Sequence, residues 1–542
     1  MPESSRTNAA GELPALLERV VLAEPTRAAS LLAGFLGRAD IEDISDEELD
    51  ALIAALGPRI DRTATALRRS VSQSPLPMTP TARTQLAALF TLYRAAESLA
   101  NLQLGLARGR TGADAQVAVA SAHRRRVEWA AQLMLDCYQL YISVPQPLLA
   151  DLHQFARAAC RELADVQPTA LDSVRDIYVA ILLLGMVNPY ALSVEEMADL
   201  YPCLREVAGE VEIDTERPSG SARFVDMTGR LAPHIALRGG NAGSDGAVYV
   251  GVDRLYHAET ARRLKPACQQ ALQDFLRRLQ FFLASRESRH REVHAATPGD
   301  RSMITIGFRS VHHRLLDETL RHVPPSPHLT LSGLDWEGLE RPVRGQVSPS
   351  PSIRDFKLEI DRDARDEIDW EGRPAADRER HRQRMNEPAT WEVVNLSERG
   401  LRLHWRLADN SRAAVDELIL IERDPETHAG ELDSVVGLGV VRWVRHLDVD
   451  NRTIDIGVER LDGDWDACFA HPTDTGVSGS GSCPVLVRQA GERIERLILP
   501  PELADRGEQL TVIREQGDDI QVKLERIAVV GTHFLVMEAS HA

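Results

Sequence analysis

Trp391-Glu-Val-Val-Asn-Leu-Ser-Glu-Arg-Gly-Leu-Arg-Leu-His-Trp405 is the stretch whose reading decides the fold. It reads as strand, tight turn, strand. Trp391 and Val393 alternate with polar neighbours. Leu401, Leu403, Trp405 and Leu407 fall on one face, while Arg402, His404 and Arg406 take the other. Between the two runs sit Asn395, Ser397 and Gly400. Asn and Ser bond nearby backbone and tolerate turn geometry, and Gly400 is expected to supply a positive φ that other residues resist. A hairpin needs only the glycine. Asn395 and Ser397 add two short polar side chains, one on each side of Leu396, that can face a ligand at the strand end.

Three further stretches work outward from this one. Gly437-Leu-Gly-Val-Val-Arg442-Trp443 and Ile454-Asp-Ile-Gly457-Val-Glu459 read as later strands, with Ile454, Ile456 and Val458 on one face and Asp455 and Glu459 facing out. Upstream, Arg378-Glu-Arg380-His-Arg382-Gln-Arg384 holds two overlapping Arg-x-x-x-Arg registers. Together these residues resemble the PilZ domains, bacterial receptors for cyclic di-GMP. Those domains carry an Arg-x-x-x-Arg motif, an (Asp/Asn)-x-Ser-x-x-Gly turn and a Gly-x-Val-Arg-Trp strand. The resemblance covers roughly residues 376–470 of the C-terminal part. It implies an antiparallel β-barrel that binds cyclic di-GMP through Arg378, Arg380, Arg382, Arg384, Asn395, Ser397 and Gly400. One departure stands out: the arginines lie so close to Asn395 that little room is left for the family's usual first strand.

Composition bounds the rest. The 542 residues suffice for two to four domains, and 43% hydrophobic with 27% charged residues is ordinary for a soluble globular chain. A formal charge of −18 argues against general binding to nucleic acid or anionic membranes, although a local arginine cluster can still hold one small anion. No basic start followed by an apolar core suggests a secretory signal, and the most apolar run, Ile177 to Val187, is too short for a bilayer. The six cysteines show no Cys-x-x-Cys spacing, which fits reduced thiols in a cytoplasmic protein without a cofactor or metal. Of seven tryptophans only Trp129 precedes residue 335, so the two halves are differently built.

Along the chain the spacing predicts a multidomain protein. Helical periodicity runs over residues 1–210, with a capping box at Ser45-Asp-Glu-Glu48 opening a helix that Gly57-Pro58 closes, and a second box at Ser193-Val-Glu-Glu196. This is a mostly α-helical bundle domain. Short strands and helices over 211–323 read as a small α+β extension of it. Residues 324–388, rich in proline and then in alternating charges, read as a linker carrying the arginine motif, with Phe356, Leu358 and Ile360 alternating in it. A PilZ-like antiparallel β-barrel over 389–472 and a second small all-β unit over 483–542 follow.

Elsewhere chemistry-bearing residues fall into no catalytic frame. Gly239-Gly-Asn-Ala-Gly243 lacks the lysine and spacing of a phosphate loop, and the serines at 478–482 lack a Gly-x-Ser-x-Gly elbow. His290, His294, His312 and His313 read as surface histidines, since no acid completes a ligand spacing. Arg442 reads as structural. The reading is therefore not an enzyme but a cytoplasmic bacterial signalling effector. Its barrel orders on cyclic di-GMP and repositions the helical domain, which serves an unidentified protein partner in motility, pilus or exopolysaccharide machinery. The alternative is a degenerate PilZ-like scaffold that binds protein without nucleotide.

Overall fold

Apolar residues at helical spacing organise the described residues of the first part of the chain into helices α1 (Ala9–Leu22), α2 (Pro25–Leu36), α3 (Asp46–Ser72), α4 (Pro80–Arg108), α5 (Ala113–Gln139), α6 (Gln146–Leu163), α7 (Pro168–Met186) and α8 (Val194–Val207). The computed structural model describes residues 9–37, 46–72, 76, 78–164, 167–214, 222–226, 234–236, 247–289, 295–296, 301–322, 389–397, 399–406, 413–423, 435–448, 453–473, 482–491, 493–504, 509–513 and 519–541. Helix α7 is buried almost throughout its second half, from Ile177 to Leu184, as its continuous apolar run predicts. The second capping box forms: Ser193 Oγ accepts from the Glu196 amide and the Glu196 carboxylate accepts from the Ser193 amide. No helix among the described residues is long and apolar enough to cross a membrane.

Gly57-Pro58 does not end its helix. Helix α3 continues through Pro58 to Ser72, because Ile60, Ala64, Leu67 and Val71 go on burying the same stripe. That packing outweighs the hydrogen bond a proline removes. The bare Gly57 leaves space for the Arg125 guanidinium, 3.4 Å from where a Cβ would stand.

The chain divides into two compact units: Met1–Glu292 with Leu407–Ser411 and Arg445–Ile454, and Val293–Arg406 with Arg412–Val444 and Asp455–Ala542. In the first, four short strands, β1 (Glu212–Asp214), β2 (Ala222–Asp226), β3 (His234–Ala236) and β4 (Ala247–Gly251), make a sheet of order β1-β4-β2-β3. After the short α9 (Ala258–Arg262), helix α10 (Pro266–Arg289) packs on α8. There Cys203 and Cys268 form a disulfide with Cα atoms 5.2 Å apart, and Arg278 donates to Glu196 at 2.5 Å. The disulfide corrects the expectation of six reduced thiols. Its partners are 65 residues apart, so only the approach of two helices reveals the pair.

The second unit holds two antiparallel barrels. A very short β5 (Ala295–Ala296) pairs with β7 (Ala389–Leu396). The barrel proper has β6 (Arg301–Ile306), β7, β8 (Gly400–Arg406), β9 (Leu418–Arg423), β10 (Val435–Asp448) and β11 (Thr453–Leu461) in the order β7-β6-β9-β10-β11-β8, closed by β7–β8. Strand β6 was expected in the α+β extension. It instead pairs with both β7 and β9, so the first barrel takes a strand from before residue 323.

A second closed barrel follows: β12 (Trp465–Pro472), β13 (Cys483–Ala490), β14 (Arg493–Leu499), β15 (Gln509–Ile513), β16 (Ile520–Val530) and β17 (Leu535–His541), ordered β12-β13-β14-β17-β16-β15. Strand β12 belongs here and not to the first barrel, where its sequence position suggested it. Helix α11 (Phe308–His322) joins the two barrels. Phe308, Val311, Leu315 and Leu316 share one buried cluster with Leu418, Leu420, Leu438 and Val440 of the first and Leu486, Ile498, Phe534 and Val536 of the second. His312 on this helix is 2% exposed, with Nε2 2.8 Å from the Cys468 carbonyl. It is not a surface histidine: burial, partly offset by that carbonyl, lowers its pKa to about 4, so it stays neutral in the core.

Candidate functional site

The turn after β7 is built as its residues suggest, with one change of cause. Register pairs Glu392 with His404 and Val393 with Leu403. A bulge then brings Asn395 opposite Arg402 and Leu396 opposite Leu401. Directly opposed residues project from the same face, so Asn395, Arg402, Glu392 and His404 share the face away from Leu401 and Leu403. On the other face Trp391 stacks on Trp405, centroids 5.1 Å apart and planes 17° apart. The Ser397 amide donates to the Gly400 carbonyl at 2.8 Å, and the Ser397 hydroxyl donates to the same oxygen at 3.3 Å.

Gly400 is not among the glycines with positive φ. Its need for no side chain comes from across the sheet: a Cβ would stand 2.5 Å from the Val458 carbonyl oxygen on β11. The Arg460 amide also donates to the Arg399 carbonyl at 2.9 Å, which ties the turn to that strand. Backbone cannot yield as a side-chain tip can. Gly400→Ala is therefore expected to cost about 1–3 kcal/mol by forcing β8 and β11 apart. Urea unfolding followed by tryptophan fluorescence measures this, and an unchanged midpoint would mean that the strands stand farther apart.

Asp455 corrects the reading that it faces out. It is 2% exposed. Its Oδ2 accepts from Arg402 Nε at 2.9 Å and Nη2 at 2.5 Å, and His404 Nδ1 lies 3.7 Å from Oδ1. The sequence signal was only an acid and an arginine on alternating strands, which periodicity assigns to solvent. Arg442, read from the sequence as structural, donates to Glu459 at 2.6 Å and to Asp416 at 3.0 Å. Trp443 is half-buried beside Gly457, where an added Cβ would overlap its indole. Arg378, Arg380, Arg382 and Arg384 lie outside the described residues, as do Phe356, Leu358, Ile360, His290 and His294. The structure thus brings together Asn395, Ser397 and Gly400 and adds Arg402, His404 and Asp455, which the sequence reading passed over as ligand candidates.

A helical region followed by two closed antiparallel barrels, the first bearing a polar strand-end turn, defines a multidomain protein. Residues 11–219 match the family model described as the N-terminal domain of the cyclic-di-GMP receptor FimW. No curated protein and no solved structure gives a significant match. The match falls on the helical part, whereas the sequence reading tied its resemblance to the C-terminal part alone. Helical periodicity is common to every bundle and carries no ligand motif, so nothing in residues 11–219 announced it.

Proposed function

We propose that this protein is a cyclic di-GMP receptor whose first barrel is PilZ-like and holds the nucleotide. The observation that carries the proposal is the match of residues 11–219 to the N-terminal domain of a cyclic-di-GMP receptor family, in a chain whose distant Asn395-x-Ser397-x-x-Gly400 turn resembles another such family. The supporting chemistry is simple. The ligand is a dianion with two guanines. Arginines clamp phosphate bidentately or lie on a guanine plane, and short polar side chains at a strand end hold a base edge. Arg378, Arg380, Arg382 and Arg384 are assigned to the first role, and Asn395 and Ser397 to the second, with Gly400 allowing close approach.

In the finer form of the proposal, binding draws Arg380 and Arg384 onto the turn, orders the barrel and repositions the helical domain. That domain serves a protein partner. No nucleic-acid partner, cofactor or catalytic step is part of it, and the setting is a bacterial cytoplasm. Calorimetry of the full chain with cyclic di-GMP is expected to show binding heat that Arg380→Ala/Arg384→Ala abolishes. Absence of heat in the parent chain overturns the receptor reading, and heat that persists in the double variant overturns the arginine assignment. One observation favours a scaffold that binds protein alone: the Ser397 hydroxyl is already bonded to Gly400 inside the turn. The same calorimetry separates the two readings.

A further inference from the structure

The cross-strand partner of Asn395 has an unusual setting. Arg402 grips Asp455 side-on, through Nε and Nη2 to a single oxygen. Nη1 has no hydrogen bond to a described residue, and the arginine side chain is 40% exposed where that of Asp455 is 3%. Asp455 Oδ1 is buried, and no described residue donates a hydrogen bond to it. An ion pair with one carboxylate so deep is costly in desolvation, and it holds the guanidinium plane in one orientation. Asn395 is the residue directly opposite Arg402 in the strand register.

We infer that Arg402 is a guanine-reading residue of the nucleotide site and that Asp455 is its positioning residue; this rests on the receptor reading given above. A guanidinium already neutralised by a carboxylate loses much of its pull on a phosphate, whose recognition is chiefly a matter of charge. It keeps its planar fork. That fork matches the two acceptors on the guanine edge, O6 and N7. Adenine presents an amino group in place of O6, so donor would face donor. Arg402 therefore selects guanine over adenine.

The test is calorimetry and competition on the full chain with cyclic di-GMP and cyclic di-AMP. Arg402→Lys keeps a cation beside Asp455 but has no fork. It is expected to weaken cyclic di-GMP binding by about tenfold to a hundredfold while leaving cyclic di-AMP competition unchanged, so the selectivity ratio falls. Asp455→Asn retains the fork but loosens it, and is expected to lower the same ratio to a smaller degree. Melting curves of both variants establish that they remain folded, and either one suffices for the test. If both bind cyclic di-GMP with the parent selectivity, Arg402–Asp455 is a structural ion pair only and the inference is overturned, with the receptor reading intact. If the parent chain shows no binding heat, the receptor reading falls and this inference falls with it.

Discussion

Truncating Trp391 to alanine is expected to cost about 3–5 kcal/mol of stability. The side chain is 1% exposed on β7 and stacks on Trp405 of β8. Removing it leaves a cavity that the closed ring of strands cannot easily collapse, and it also removes an aromatic pair worth about 0.5–1.5 kcal/mol beyond its buried area. The two rings pin the hairpin that carries Asn395, Ser397 and Gly400, so the same change should loosen the turn. Urea unfolding is the measurement. Six of the seven tryptophans follow residue 335, so their fluorescence reports chiefly on this half of the chain, and circular dichroism at helical wavelengths reports on the other. A shift below about 1 kcal/mol, well under the usual cost of losing a buried tryptophan, would show that Trp391 is not a core residue.

Arg314→Ala is expected to be nearly as damaging, by about 3–5 kcal/mol. Glu422 of β9 is 2% exposed and accepts three hydrogen bonds from Arg314 of α11, at 2.9 to 3.1 Å. Removing the guanidinium strands a carboxylate where water cannot solvate it. The sign of the effect depends on which partner is left behind. Arg314→Met/Glu422→Leu takes out both charges and fills the space with apolar atoms, so it should recover most of the loss. If the double variant is as unstable as the single one, the cost lies in packing of the arginine stem and not in the orphaned charge.

How far the site was legible follows from where its information lies. Asn395, Ser397 and Gly400 could be picked out because a turn draws its chemistry from adjacent residues. The register that opposes Asn395 to Arg402 depends on a bulge, which alternation does not predict. The burial of Asp455 depends on Arg402 lying over it from the next strand, 53 positions away in sequence. The positive φ expected of Gly400 is not what excludes a side chain there: the close approach of the Val458 carbonyl does.

Periodicity and capping were enough, without coordinates, to establish helices α4 to α8, the box at Ser193 and Glu196, and the alternation that buries Trp391, Val393, Leu401, Leu403 and Trp405. Those are contacts between residues a few positions apart, and local spacing encodes them directly. Tertiary structure alone decided that α3 runs through Pro58, that Cys203 meets Cys268, and that His312 is a neutral core residue. It also placed β6 in the first barrel and β12 in the second. Each of these depends on which surface arrives from far along the chain. Burial, not composition, then determines whether a proline is tolerated, a thiol paired or an acid hidden.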